Sequence, residues 1–351
     1  MRRLIKLLLL LALLVCGVGL WLSHELDLEM DRAAAASEPV RIEVLPGESL
    51  RTILLHLQRQ RALRNARLIE AYLRLHGQNP RVQAGTYEIA PHSTARAVLE
   101  QFIAGRVVLE QLTVVEGWNV AQLRHALDAQ PDLVHELRAL SDAQLMQALG
   151  HEGQAAEGRF FPDSYRFAAG TTDRRILELA YDRMQRELEQ AWTARAPDLP
   201  IKDSEQALIL ASIVEKETGR EDERAKVAAV FINRLSQGMR LQSDPTVIYG
   251  LGSRYDGDIH TRDLVTDTPY NTYTRAGLPP TPIALPGAAS LQATLHPADI
   301  DALYFVATGN GDGSHHFSAT LAEHDAAVRA YLHQLGVPVR ALAAPARQDA
   351  R

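Results

Sequence analysis

The sequence predicts an α+β protein. It comprises an N-terminal membrane-anchor helix, a small strand-helix-helix-strand module, and a larger, mostly helical α+β domain. Three observations predict this. An unbroken apolar run extends from Leu7 to Leu22 directly behind Arg2, Arg3 and Lys6. Strand-like residues at Arg41-Ile42-Glu43-Val44-Leu45 are answered by Gly85-Thr86-Tyr87-Glu88-Ile89, with helical periods between them. After Trp118, capped segments of helical period dominate. The expected division is 1–25 for the cytoplasmic start and anchor, 26–39 for a linker, 40–110 for the module, 111–336 for the larger domain, and 337–351 for a disordered tail.

The anchor rests on length and charge. A helix needs roughly 20 residues to cross the hydrocarbon core, and Leu4 to Leu22 nearly suffices if Lys6 snorkels. Basic residues precede the run and Glu25, Asp27, Glu29 and Asp31 follow it, so the positive-inside bias keeps the N-terminus cytoplasmic and exports the rest. A cleaved signal peptide starts in the same way, but the small residues Ala33 to Ala36 lie beyond the acidic stretch, far from the apolar run. A lipoprotein signal needs a small residue before Cys16, and Val15 stands there. Export follows under all three readings.

Of the 351 residues, 46% are hydrophobic and 23% charged, which places the chain among globular rather than disordered proteins. Its formal net charge of -6 argues against nucleic acid as a partner. Cys16 is the single cysteine, so no disulfide can form within the chain.

In the module, Pro46-Gly47 turns the first strand and Ser49 caps a helix with Leu50, Ile53, Leu54 and Leu57 on one stripe. A second helical pattern holds Leu68, Ala71, Tyr72 and Leu75; Ser93 caps a third with Val98, Leu99, Phe102 and Ile103 inward. Val40 to about Gly105 resembles a LysM-like module, which implies binding of N-acetylglucosamine-containing glycans. The strand, glycine turn and capped helix recur at Leu112 to Asn119, a pattern that a generic unit also produces.

The larger domain carries the chemistry. Asp203-Ser204 caps a helix from Glu205 to Thr218 whose interior, Ala207 to Val214, is apolar nearly all round and therefore belongs in the core. Glu215 and Glu217 sit in its last turn. Two residues apart, they project on roughly opposite sides. Glu217 continues the row of Leu210, Ile213 and Val214, where desolvation keeps a carboxyl neutral to higher pH, as a general acid requires. The alternative is that either acid is a solvated helix-end residue or an ion-pair partner of Arg220, Arg224 or Lys226.

A helix from Glu221 to Ser236 follows, then a short one opened by Ser243, Asp244 and Pro245. From Asp267 to Gly287 runs a proline-rich loop containing Tyr270-Asn271-Thr272-Tyr273. Tyrosine rings and an asparagine amide suit sugars, although the same tyrosines can serve to pack the loop. Leu303 to Ala307 reads as a buried strand, and Thr320 to Glu323 as a capping box. His315 and His316 are adjacent, but strand neighbours point to opposite faces and no further ligand motif lies nearby, so no metal site is expected.

The blocks Leu210 to Thr218, Val230-Phe231-Ile232-Asn233-Arg234-Leu235, Leu241 to Gly250 and Tyr270 to Tyr273 closely resemble the endolytic murein transglycosylase (YceG-like) family. The resemblance extends to the anchor, the LysM-like module, and Glu157 to Tyr165. Ser164 stands where the family usually has threonine, and the turn before His315 is slightly longer. The family's catalytic glutamate precedes a small hydroxyl residue, which matches Glu217-Thr218 and not Glu215-Lys216.

The resemblance implies cleavage between N-acetylmuramic acid and N-acetylglucosamine within a peptidoglycan strand. No water and no cofactor are used, and a 1,6-anhydro end remains. It implies Glu217 as the acid, with Gln242, Asn271, Tyr270 and Tyr273 holding sugars or stabilising charge, and Ser212 and Asn233 near Glu217. Asp244 as a second carboxylate would instead give a lysozyme-like hydrolase, and a non-catalytic glycan-binding scaffold is the third reading. The implied setting is the cell inner membrane, crossed once, with the catalytic domain in the periplasm; the implied partners are glycan strands and peptidoglycan synthases (penicillin-binding proteins).

Overall fold

A computed structural model describes residues 2–45 and 47–336. Pro46 of the first turn and the expected tail 337–351 lie outside the described residues. The protein is α+β and mostly helical, with small antiparallel sheets, and it divides into two compact units.

The first unit opens with α1 (Arg2–Asp31). Side chains from Ile5 to Leu22 are exposed, and the helix is long and apolar enough to cross a membrane or to form a signal sequence. The helix does not end with its apolar run. It continues through the acidic stretch because Leu26 and Met30, one turn apart, are almost fully buried in the core of the module. The segment expected as a linker is thus docked: Asp31 pairs with Arg96, Ala33 bridges Thr94, and Arg64 donates to the Ala33 carbonyl.

Around this core stand β1 (Val40–Val44), α2 (Leu50–Arg59), α3 (Ala66–Leu75), β2 (Gly85–Ile89) and α4 (Ala95–Ile103). β1 and β2 pair antiparallel, Val40 opposite Ile89 and Val44 opposite Gly85, so Ile42, Val44, Tyr87 and Ile89 face inward. Ser49 caps α2 and Asn65 caps α3. Thr94, not Ser93, caps α4; the Ser93 hydroxyl donates to the Ala90 carbonyl in the preceding turn. β3 (Leu109–Thr113) leads out of this unit.

The second unit contains α5 (Val120–Asp128) and α6 (Asp142–Ala148), each opened by a capping box. β4 (Ser164–Ala168) precedes the long α7 (Asp173–Thr193). α8 (Ser204–Glu217) and α9 (Glu221–Ser236) form the centre: Ala207 to Val214 are all buried, and Val227, Ala228, Phe231 and Ile232 pack among them. α10 (Asp244–Leu251), a single 3-10 turn and the short α11 (Thr261–Val265) lead into the proline-rich loop. α12 (Ala288–Leu295) then returns against α8 and α9.

β5 (Tyr304–Ala307) and β6 (His315–Ser318) form a two-stranded antiparallel hairpin, followed by α13 (Leu321–Gln334) with its Thr320–Glu323 capping box. β5 was expected to be buried and is half-buried along its whole length, because it pairs only with β6.

Candidate active site

Glu217 is the last residue of α8. The helix stops there because Thr218 turns extended (φ -146°), and the Thr218 hydroxyl accepts from the Arg220 amide. The two terminal acids diverge. Glu215 accepts from the Gly287 amide at 3.0 Å, just ahead of α12. Glu217, part-buried, accepts from the Ser243 hydroxyl at 2.6 Å. The alternative of an ion pair to Arg220 does not hold, since that guanidinium joins Asp222 and Asp312.

Burial pushes the Glu217 carboxyl up to about 7, with the charge of Asp244 adding to the rise. The Ser243 hydrogen bond and the Arg234 charge oppose it, since both favour the ionised form. Glu217 is therefore an acid poised between its two protonation states near neutrality, which is where a general acid and base transfers protons most effectively.

Arg234 frames the carboxylate from α9. It is almost fully buried, donating to the carbonyls of Arg240, Leu241 and Leu303 and to Gln242 Oε1 at 3.1 Å. Desolvation lowers its affinity for a proton, but the guanidinium remains charged. It fixes the turn 240–242, where Gln242 takes a left-handed conformation (φ +53°) that is uncommon for a residue with a Cβ. The Gln242 side chain is exposed beside the site.

The next residues are tied to the proline-rich loop. The Gln242 amide donates to the Thr272 carbonyl, the Ser243 amide donates to the Thr272 hydroxyl, and Thr246 and Thr272 share a hydrogen bond of 2.9 Å. Ser243 leads into α10 but its hydroxyl caps nothing there; it is turned to Glu217 instead. Asp244 is exposed and accepts from the Tyr273 hydroxyl at 2.6 Å. Burial, and then the Asp244 charge, raise the affinity of the Tyr273 hydroxyl for its proton, so Tyr273 remains a donor. Tyr270 is half-buried, its hydroxyl on Thr281 and its ring edge-on to Tyr249 with centroids 4.9 Å apart.

Of the expected residues, Gln242, Asp244 and Tyr273 thus gather about Glu217, with Tyr270 on the same loop. Three others are committed elsewhere. Ser212 is fully buried, donating to the Ile209 carbonyl and accepting from the Ile283 amide. The Asn233 amide group donates to the Ile300 and Ala302 carbonyls. Asn271 is buried and holds the carbonyls of Asp263, Leu264 and Thr266. These three shape the segments around the site and present no free donor to it. Sequence reasoning missed Ser243 and Arg234, whose roles depend on contacts distant in sequence.

His315 lies against Glu223 at 2.8 Å, while His316 is exposed on the other face of β6. Among the described residues, no group of three or more His, Cys, Asp or Glu side chains is placed to hold a metal ion.

Several known proteins are similar to this chain. A relative from Bacillus subtilis named endolytic murein transglycosylase is 29% identical over 310 residues, covering 84% of this chain and 85% of its own. One of the same name from Streptococcus pneumoniae (strain D39) is 25% identical over 354 residues; the match covers 92% of this chain but only 63% of that longer relative. A crystal structure described as a putative yceG-like protein from Listeria monocytogenes superposes with a TM-score of 0.52 at 28% identity, over 82% of this chain and 98% of that one. The model of the YceG-like family matches residues 42–330, a span that holds Glu217, Ser243 and the proline-rich loop alike, and by it the chain belongs to that family.

Proposed function

We propose that the protein is an endolytic lytic transglycosylase that cuts peptidoglycan strands, with Glu217 as its one acid and base. The observation that carries this reading is the part-buried Glu217 carboxyl, pushed up to about 7 by burial, beside exposed polar side chains. In the proposed cycle Glu217 gives its proton to the oxygen that leaves as the bond between N-acetylmuramic acid and N-acetylglucosamine breaks. Its carboxylate then takes the proton of the muramoyl 6-hydroxyl, whose oxygen closes on C1. One carboxyl serves twice because the substrate supplies its own nucleophile; ordinary glycosidases need two. In this reading Gln242, Tyr270 and Tyr273 would meet sugars, and Asp244, which accepts from Tyr273, would stabilise positive charge at C1. The relatives named endolytic murein transglycosylase support the same activity and substrate.

A second reading has one observation in its favour. Asp244 is a second carboxylate close enough to Glu217 for its charge to raise the proton affinity there, as in a lysozyme-like hydrolase. Mass spectrometry of digested glycan strands separates the readings. Anhydromuramoyl ends from wild type and none from Glu217→Gln are expected; reducing ends would establish the hydrolase, and no cleavage by wild type a glycan-binding scaffold.

The division into 1–25, 26–39, 40–110 and 111–336 is proposed with docked residues in place of a flexible linker. The exposed stretch Ile5 to Leu22 spans the inner membrane once, about 27 Å at 1.5 Å per residue, leaving the first module and the second unit in the periplasm. There the LysM-like first module would hold nascent glycan near the synthases that extrude it, so that cutting terminates elongation.

A further inference from the structure

Glu157 is a second carboxyl that burial pushes up to about 7, and the proposed cycle makes no use of it. It is only 7% exposed. Both of its oxygens accept from the Val120 amide, at 3.2 and 3.3 Å, an N–H at the start of α5 that has no partner within the helix. Oε2 also accepts from the Tyr249 hydroxyl at 3.1 Å. Burying a carboxyl is costly, and an apolar pair of similar volume would stabilise the fold at least as well. What a carboxylate provides and an apolar pair does not is a directional hold on both partners.

That hold falls on α10. Tyr249 lies on α10, the helix that Ser243 opens, six residues beyond the serine. α10 also presses on the proline-rich loop. A Cβ at Gly250 would stand 2.9 Å from Thr268 Oγ1 and 3.1 Å from Tyr270 Cβ, so the approach is as close as glycine permits. The Tyr249 ring meets Tyr270 edge-on, and farther along the loop the Thr272 hydroxyl accepts from the Ser243 amide and shares a hydrogen bond with the Thr246 hydroxyl. α10 is therefore clamped between Glu157 and the loop, and Ser243 stands at the end of the clamped element.

We propose that Glu157 and Tyr249 are positioning residues that set the rotation of α10, and through it the hydrogen bond from Ser243 to Glu217. The inference rests on the reading of Glu217 as the acid and base. Glu157 touches no substrate. The groups facing it are the Tyr249 hydroxyl and the backbone amides of Val120 and Gly158, with the charge of Asp142 farther off. Loosening α10 leaves Glu217 with the same burial but a weaker Ser243 bond, so its carboxyl holds its proton to higher pH.

The test uses the full-length protein in detergent. It compares wild type, Tyr249→Phe, Glu157→Gln, Ser243→Ala and the double variant Tyr249→Phe/Ser243→Ala. The readouts are kcat and KM on glycan strands, and the titration of the Glu217 carboxyl followed by carbon-13 NMR, assigned by its loss in Glu217→Gln. Tyr249→Phe removes only the hydroxyl and spares the fold if Glu157→Gln does not. The expected result is a fall in kcat on the order of tenfold with KM little changed, since a hydrogen bond weakened near the reacting group costs about this much. The Glu217 titration moves upward in Tyr249→Phe and no further in the double variant than in Ser243→Ala alone. An unmoved titration in Tyr249→Phe, whatever its melting temperature, would overturn the proposal. Because the titration is read without substrate, it decides this point even if wild type releases no anhydro ends, a result that would instead refute the activity.

Discussion

The Ser243 hydroxyl donates to Glu217 Oε1 at 2.6 Å, joining the end of α8 to the start of α10. Asp244, the next residue, acts on the same carboxyl in the opposite sense. The hydrogen bond favours the ionised form, and the neighbouring charge disfavours it. Cleavage needs Glu217 protonated at the outset, so activity should fall as pH rises through about 7. Ser243→Ala should carry that alkaline limb to higher pH and Asp244→Asn to lower pH, each by on the order of one pH unit. Initial rates across pH 5–9 check this; two variants moving the limb in one direction would contradict the electrostatic account.

The same carboxyl lowers stability at neutral pH. Its proton affinity is higher in the folded chain than the ordinary value of 4.5, so folding disfavours its charged form. Below about pH 4.5 the group is protonated in both states and costs nothing; the penalty grows as pH rises and is complete above about 7. Glutamine keeps the oxygen that accepts from Ser243 and carries no charge. Glu217→Gln should therefore be more stable than wild type at pH 8 by on the order of 1–3 kcal/mol, and equal to it at pH 4. Glu157 titrates over the same interval in both proteins and cancels from the difference. Paired thermal melts at the two pH values measure it, and a variant less stable than wild type at pH 8 would refute it.

Asn271 should behave as a structural residue. Its amide holds three backbone carbonyls, and its Oδ1 accepts from the Tyr273 amide at 2.9 Å. Asn271→Ala strands several of these buried groups and frees the loop that carries Tyr273. A loss of about 2–3 kcal/mol is expected, or a melting temperature lower by on the order of 5–10 °C. Direct contact with sugar predicts the reverse pattern: an unchanged melt and a raised KM.

Local chemistry made much of this protein legible. Ser49, Ser141 and Thr320 open their helices as their side chains dictate, and the strand alternation at Arg41 to Val44 finds its partner at Gly85 to Ile89. Glu217 could be singled out only with the family resemblance, because Glu215 shares its turn and the spacing alone also allows a solvated helix end or an ion pair. Ser243 could not, because a serine before Asp-Pro reads as a helix cap, and only the fold turns its hydroxyl to a residue on another helix. Arg234 looks like any basic residue near a helix end; its four partners come from 240–242 and 303. With Ser212 and Asn271 the residue types suited the chemistry, but which way a polar group faces is settled by tertiary contacts. The acidic stretch after Leu22 concealed its helix for a similar reason, since Leu26 and Met30, one turn apart among acidic residues, are a faint stripe until a core receives them.

Those two residues make a prediction of their own. Leu26 and Met30 are 3% and 2% exposed, packed among the side chains of the first module, and Asp31 holds Arg96 on α4. The end of α1 is thus part of the module rather than a tether to it. Removing residues 1–22 takes away the stretch Ile5 to Leu22, whose side chains already face outward, so the remaining protein should be soluble and keep the stability of its first unit. Removing 1–31 strips two buried apolar side chains from a closed core, each worth about 2–5 kcal/mol when cut back to alanine. That exceeds what a module of this size can easily lose. Hydrogen exchange on the two truncated proteins should show protected amides in β1 and β2 for the first, and fast exchange there for the second. Equal protection in both would mean that α1 merely rests on the module, and that the apolar helix and the first module move independently.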